Sequence, residues 1–167
     1  MPLSPSQPGQ PGRADDAHEG QCRRCGISCH LAVPLDDRPI MVPGLHCRYL
    51  RAEPDGRFNC SVYADRFRLA PWCHHADLAA PMGFLADDCP YALSRGISGG
   101  KIRLSEAELV DAWPQLLERI RSWGVPVLID RVALLREVSR REGGAWQLAA
   151  WPGDPDRLQL RPGIGPG

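Results

Sequence analysis

Three thiols fall within eight positions in Cys22-Arg23-Arg24-Cys25-Gly26-Ile27-Ser28-Cys29, with His30 directly after. A Cys-x-x-Cys pair sets two sulfurs on one tight turn, where both can reach one metal ion. Gly26 suits such a turn, because backbone amides must curl toward the sulfurs and glycine tolerates positive φ. Cys29 offers a third corner of a tetrahedron, so a fourth ligand has to come from downstream. Four more cysteines follow, Cys47, Cys60, Cys73 and Cys89, and none comes after them. All 7 cysteines of the chain therefore lie between positions 22 and 89, a density that marks a cross-linked or metal-bound scaffold.

An odd number of cysteines cannot pair completely within one chain. The opening MPLSPSQPGQPGRADDAHEG has no basic segment followed by an apolar run, so no secretory signal is read there. No apolar stretch approaches bilayer-spanning length. A cytoplasmic location is expected, where thiols stay reduced and clustered cysteines bind metal or catalyse rather than cross-link. Zinc takes four thiolate or imidazole ligands, and two zinc sites with no shared ligand need about eight. Seven cysteines and one histidine make that number. His30, His46, His74 and His75 each stand beside a cysteine, and His30 is the candidate carried forward. An iron–sulfur cluster needs four thiolates. The spacing Cys-x2-Cys-x3-Cys is not that of bacterial ferredoxins, although Cys89-Pro90 is similar to the Cys-Pro that closes a ferredoxin motif. Zinc and iron both stay open, an iron–sulfur cluster included. Arg23, Arg24, Arg48, Arg66 and Arg68 lie near the cysteines in sequence, and cationic neighbours lower a thiol pKa toward the metal-binding thiolate.

The ordered set of spacings resembles the YkgJ/YcgN-type cysteine-cluster family of zinc- or iron-chelating proteins. Its Cys-x-x-Cys-Gly-x-Cys-Cys opening is matched by Cys22, Cys25, Gly26 and Cys29. Its next segment is matched by Cys47-Arg48-Tyr49-Leu50, its Cys-x-x-Tyr-x-x-Arg by Cys60, Tyr63 and Arg66, and its later cysteines by Cys73 and by Cys89-Pro90-Tyr91. The match covers about 22–96. It implies that all seven cysteines serve the metal. It also implies that Tyr63 and Arg66 hydrogen-bond ligand sulfurs or backbone from behind. One departure is clear: the family's adjacent Cys-Cys is Ser28-Cys29 here, so one expected sulfur is missing. A distant, similar cluster occurs in flagellin lysine methylases, which raises an alternative, an iron-dependent or redox enzyme acting on a peptide or protein side chain. No catalytic residue is assigned.

The elements that must hold these groups read as a small irregular α+β fold. A metal-stapled cysteine-rich module at 21–96 is followed by a helix–strand–helix–strand extension at 97–160, between disordered tails at 1–20 and 161–167. The opening tail is rich in proline and glycine and nearly devoid of apolar residues, too little to offset ordering entropy. In the module the periodicity is poor; Pro54-Asp55-Gly56 reads as a turn and Asn59–Tyr63 as a short strand. Ile97–Lys101 (ISGGK) reads as a flexible joint. Ser105 to Glu108 forms a capping-box pattern, followed by Leu109, Trp113, Leu116, Leu117 and Ile120 at helical spacing and by Gly124 as terminator. Pro114 should kink or restart this helix. Val125–Ile129 reads as a strand, Asp130–Arg141 as a capped helix, and Trp146–Trp151 as a second strand. The extension has no cysteine or histidine and reads as packing or as a surface for a protein or peptide partner. With 20 basic and 20 acidic side chains the formal charge is zero, so the basic footprint of a nucleic-acid binder is missing. The expected partner is the metal ion, with no nucleic acid and no membrane.

Overall fold

The computed structural model describes residues 20–70 and 72–163. The tail expected at 1–20 lies, apart from Gly20, outside the described residues, and so do 164–167. Among the described residues there are five α-helices and seven strands in small sheets, a mixed α/β fold.

Strands β1 (His30–Leu35) and β2 (Arg38–His46) form an antiparallel hairpin that pairs Leu35 with Arg38. Asp36 and Asp37 turn it with positive φ at both positions, the two-residue geometry that matches strand twist. A second hairpin joins β3 (Leu50–Ala52) to β4 (Phe58–Cys60). Its Pro54-Asp55-Gly56 turn closes with Gly56 N–H on the Glu53 carbonyl at 3.0 Å. Short helices α1 (Arg66–Leu69), α2 (Ala76–Ala79) and α3 (Pro90–Leu93) follow. Then come α4 (Glu106–Trp123), β5 (Val125–Pro126), α5 (Arg131–Glu142), β6 (Trp146–Trp151) and β7 (Asp154–Pro162). The last three strands make one antiparallel sheet in the order β5-β7-β6.

Local chemistry explains the two long helices. Ser105 Oγ accepts from Glu108 N–H, and the Glu108 carboxylate accepts from Ser105 N–H at 2.8 Å. The helix then runs through Pro114 to Trp123 and stops at Gly124, so the proline does not divide it. Asp130 caps α5 by accepting from Ala133 N–H at 2.9 Å.

The core does not follow the expected division at 96/97. Val33, Leu35, Ile40, Val42 and Leu45 of the first hairpin pack with Leu109, Trp113, Leu116 and Ile120 of α4, with Leu134 and Val138 of α5, and with Leu158 and Leu160 of β7. The first hairpin thus belongs to the main core together with the extension. The remaining cysteine-bearing loops enclose only two small clusters, one rich in alanine around Tyr91 and one of Ile27, Met41 and Ala86 against Cys25 and Cys89.

Three further expectations change. The strand placed at Asn59–Tyr63 is β4, Phe58–Cys60, because Tyr63–Asp65 coils into a single 3-10 turn. The strand placed at Val125–Ile129 shortens to two residues. Of the tail placed at 161–167, Arg161 and Pro162 belong to β7, with Pro162 opposite Trp146. The end of the segment read as a flexible joint, Gly100–Lys101, is packed, while Ser98 and Gly99 are exposed. Lys101 is 7% exposed, its N–H donates to the Leu85 carbonyl at 2.7 Å and its carbonyl accepts from Asp87 N–H at 3.0 Å. Any Cβ on Gly100 would stand 2.5 Å from the Leu85 carbonyl oxygen. Glycine here permits a close approach of two backbones, not freedom.

Candidate metal centre

The first cysteine turn is shaped by its glycine and by its sulfurs. Gly26 has φ +72° and opens the 3-10 turn Ile27–Cys29, with Cys29 N–H on the Gly26 carbonyl at 3.0 Å. Arg24 N–H points at Cys22 Sγ at 3.4 Å. At Cys47 the Tyr49 amide and the Trp72 side chain act to lower the thiol. An amide two residues beyond a cysteine, aimed at its sulfur, is the local geometry that favours a thiolate ligand. Ser28 donates its hydroxyl to Cys29.

Long-range contacts draw the separate loops together. Arg23 grips Asp88 with both guanidinium nitrogens, at 3.0 and 2.6 Å, bringing Cys22 and Cys25 beside Cys89. Arg24 Nε donates to the Phe58 carbonyl, and Phe58 N–H returns a bond to the Arg24 carbonyl. Cys47 N–H donates to the Cys29 carbonyl at 2.8 Å. Arg66 donates to the Tyr63 carbonyl at 2.7 Å, and its guanidinium lies over the Tyr63 and Phe67 rings.

All seven cysteines line two adjoining cavities. The larger, about 400 Å³, has Cys22, Cys25, Cys29, Cys60 and Cys89 in its wall. The smaller, about 130 Å³, has Cys29, Cys47, Cys60 and Cys73, with Tyr63, Arg66 and His74 beside them. Cys29, Cys60, Tyr63 and Ser28 stand on both walls. Mutual electrostatics divide the thiols into two groups: Cys22 is raised in part by Cys25 and Cys89, whereas Cys29 is raised in part by Cys47, Cys73 and Cys60. Burial is the larger cause at Cys22, Cys29 and Cys47, and it pushes Cys29 up to about 12. Neighbouring arginines act in the expected direction on these thiols, against burial. Arg24 and Arg48 do lower Cys22 and Cys47, but by less than burial raises them. Arg23 combines both roles, since it grips Asp88 and interacts electrostatically with Cys25 and Cys89.

No protein-family model, curated protein or solved structure matches this chain.

The donor set suits a soft or borderline metal, since thiolates select zinc, copper(I) and iron–sulfur clusters. Among the described residues, no three His, Cys, Asp or Glu side chains are drawn together as a finished coordination group. A bound ion would have to draw the thiols inward from the cavity walls. His30, the histidine carried forward as a candidate ligand, stands beside Cys29 and Cys47. It lines a third cavity, with Cys29, Cys47 and Lys101, and neither of the two cavities above. Its Nδ1 donates to the Gly26 carbonyl at 2.9 Å, and burial, chiefly, lowers its pKa to about 4. It is a neutral imidazole that braces the turn. Of the histidines flanking cysteines, His74 is the one on the wall of the four-sulfur cavity.

Sequence reasoning passed over Lys101. Its Nζ donates to the carbonyls of Ser28 at 3.0 Å and His30 at 2.6 Å, with Ile27 at 3.4 Å. The available signal was modest: it is the chain's only lysine among nineteen arginines, directly after two glycines.

Proposed function

We propose that residues 22–89 are a metal-binding cysteine cluster for zinc or iron, of the YkgJ/YcgN type. Its thiols fall into a four-sulfur group, Cys29, Cys47, Cys60 and Cys73, and a three-sulfur group, Cys22, Cys25 and Cys89. The observation that carries this reading is convergence. Seven thiols scattered along the sequence line two adjoining cavities, while the loops bearing them enclose little apolar core. Ser28, on both walls, stands where the resemblance expects another sulfur. The second group is thus one thiol short of a tetrahedron.

Coordination would supply what packing does not. Structural zinc contributes roughly 10–16 kcal/mol, comparable with the ~5–15 kcal/mol that stabilises a whole domain. The test is elemental analysis with absorption spectroscopy on protein purified without oxygen, followed by single Cys→Ser variants. Zinc or iron in stoichiometric amount is expected, reduced by Cys47→Ser, Cys60→Ser and Cys73→Ser. Metal content unaltered by any cysteine substitution would remove the reading.

A second reading, an iron-dependent or redox enzyme acting on a peptide or protein side chain, draws on the larger cavity. There the incomplete group opens on Leu50, Phe58, Leu85 and Pro90, apolar walls of the kind that bound a substrate site. It requires protein that is brown under anaerobic conditions and bleaches on oxidation. Colourless protein with stoichiometric zinc after iron-replete anaerobic expression counts against it.

A further inference from the structure

Lys101 is a buried ammonium without a carboxylate. Its residue is 7% exposed. Among the described residues no acidic side chain forms an ion pair with it. Lys101 shares a cavity wall with Cys29, Cys47 and the neutral His30. An ammonium has three donors, and three carbonyls, those of Ile27, Ser28 and His30, take them. These carbonyls satisfy the hydrogen bonds but carry no net charge. A buried charge left uncompensated is costly, so negative charge placed beside this ammonium stabilises it. The three carbonyls belong to the Ile27–Cys29 turn and the residue after it, which places the ammonium under the backbone of the turn that presents Cys29. Burial of the backbone reinforces this position, since the Gly100–Lys101 segment is wedged against Leu85 and Ala86. Arg103, two residues on, donates to the Cys25 carbonyl at 3.2 Å but is exposed. Solvent screens it in a way that it does not screen Lys101.

We infer that Lys101 is the internal counter-cation of the four-sulfur centre: its charge offsets the net negative charge of a metal held by thiolates, and its donors fix the turn that presents Cys29. This rests on the metal-binding reading above. A divalent ion with four thiolates carries a net charge of about −2, and burying that charge beside a fixed ammonium is far less costly than burying it alone. Lys101 is thus a positioning residue that acts through the centre's charge, not a ligand.

The test compares wild type with Lys101→Met, which keeps the length and removes the charge, and with Lys101→Gln, which keeps hydrogen-bond donors but no charge. Lys101→Arg keeps the charge. Cobalt(II) and zinc(II) are the probes, with affinity measured by chelator competition and cobalt–thiolate coordination followed by its charge-transfer absorption. Lys101→Met and Lys101→Gln are expected to weaken both metals about 10–100-fold, the range for groups supporting a metal's ligands. They are also expected to move the charge-transfer band to lower energy, because sulfur electrons are held less tightly without the neighbouring cation. Lys101→Arg should keep the band near its wild-type position. The melting temperature should fall further in zinc-loaded protein than in metal-free protein. An equal fall in both states, with affinity and band unchanged, would reduce Lys101 to a structural clamp and overturn the inference. If Lys101→Met does not fold, Lys101→Gln is read in the same way. Wild-type protein that takes up neither metal would remove the metal reading itself, and this inference with it.

Discussion

At Gly26 two constraints meet in one residue. Its φ of +72° lies in the left-handed region, and a Cβ added there would stand 2.8 Å from the Phe58 ring. A non-glycine residue held in that conformation costs of order 1–3 kcal/mol, and the overlap adds to it unless Phe58 moves. Gly26→Ala should therefore lower stability by roughly 2–3 kcal/mol in denaturant titration. It should also weaken metal binding, because Cys25 and Cys29 flank the displaced backbone. Unchanged stability would mean that the turn relaxes freely. The contrast is Asp88→Asn. The Arg23–Asp88 pair is close, at 2.6 Å, but its side chains are 46% and 63% exposed, and exposed pairs contribute about 0–1 kcal/mol. The glycine was legible from the motif alone, because a tight sulfur-bearing turn demands positive φ. Lys101 was not legible, because nothing in a sequence says which loop a buried side chain will underpin. His30, the other residue that adjacency to Cys29 singled out, faces the cavity it shares with Cys29, Cys47 and Lys101.

The helices illustrate what element-level patterns capture and where they stop. A capping box for α4, an aspartate cap for α5, apolar spacing and terminal glycines marked both helices nearly to the residue, since these signals act within one or two turns of chain. Pro114 did not break α4, whose buried face of Leu109, Trp113, Leu116, Leu117 and Ile120 packs into the main core. Packing of that extent outweighs one lost hydrogen bond and its steric cost. Between the helices, sequence was silent about a polar network. Arg141, its side chain 5% exposed, donates to Glu137 at 2.6 Å and to Glu106 at 3.1 Å, and its guanidinium faces Trp113. Trp113 Nε1 donates to Glu142 at 2.7 Å. Burial alone would raise the Glu137 carboxyl, yet hydrogen bonds from Arg140 and Arg141 hold it below the usual range. A carboxyl lowered in the folded state adds stability above its unfolded pKa, and this is lost as pH falls through the folded value. Glu137→Gln should thus cost about 3 kcal/mol at neutral pH, as for removing one partner of a buried pair. The gap to wild type should narrow as pH drops below ~4.3, the ordinary glutamate value. A constant gap between pH 7 and pH 3 would show that the loss is steric.

At the scale of the whole molecule, two kinds of cohesion divide the chain, and the division is not the one that cysteine content suggests. Cysteine content pointed to a module ending near residue 96, because local composition is all that a cysteine count measures. The core shows that β1 and β2 pack against α4, α5 and β7, a long-range pairing with no local signature beyond the two-aspartate turn. On the proposed metal-binding reading, what would depend on coordination is smaller and discontinuous: residues 20–29, and the loops from Cys47 to Tyr91 with their alanine-rich cluster. Metal removal should open these loops and leave the main core folded. Hydrogen exchange measured before and after verified removal of the metal checks this. Amide protection should drop across β3, β4 and α1–α3, including the Ser61 N–H bond to the Tyr49 carbonyl and the Cys89 N–H bond to the Ala86 carbonyl. It should persist in α4, α5 and the β6–β7 pair, because buried apolar area rather than coordination holds them. Lys101 lies on the boundary between the two regions, bonded through Leu85 to one and, through the Ile102 N–H next to it, to the Pro39 carbonyl of β2 in the other. Protection there should fall to an intermediate level, so the Lys101 amide reports whether loosening of the cysteine loops reaches the core. Uniform loss over all elements would show that the metal holds up the entire fold. Uniform retention would show that the loops stand without it.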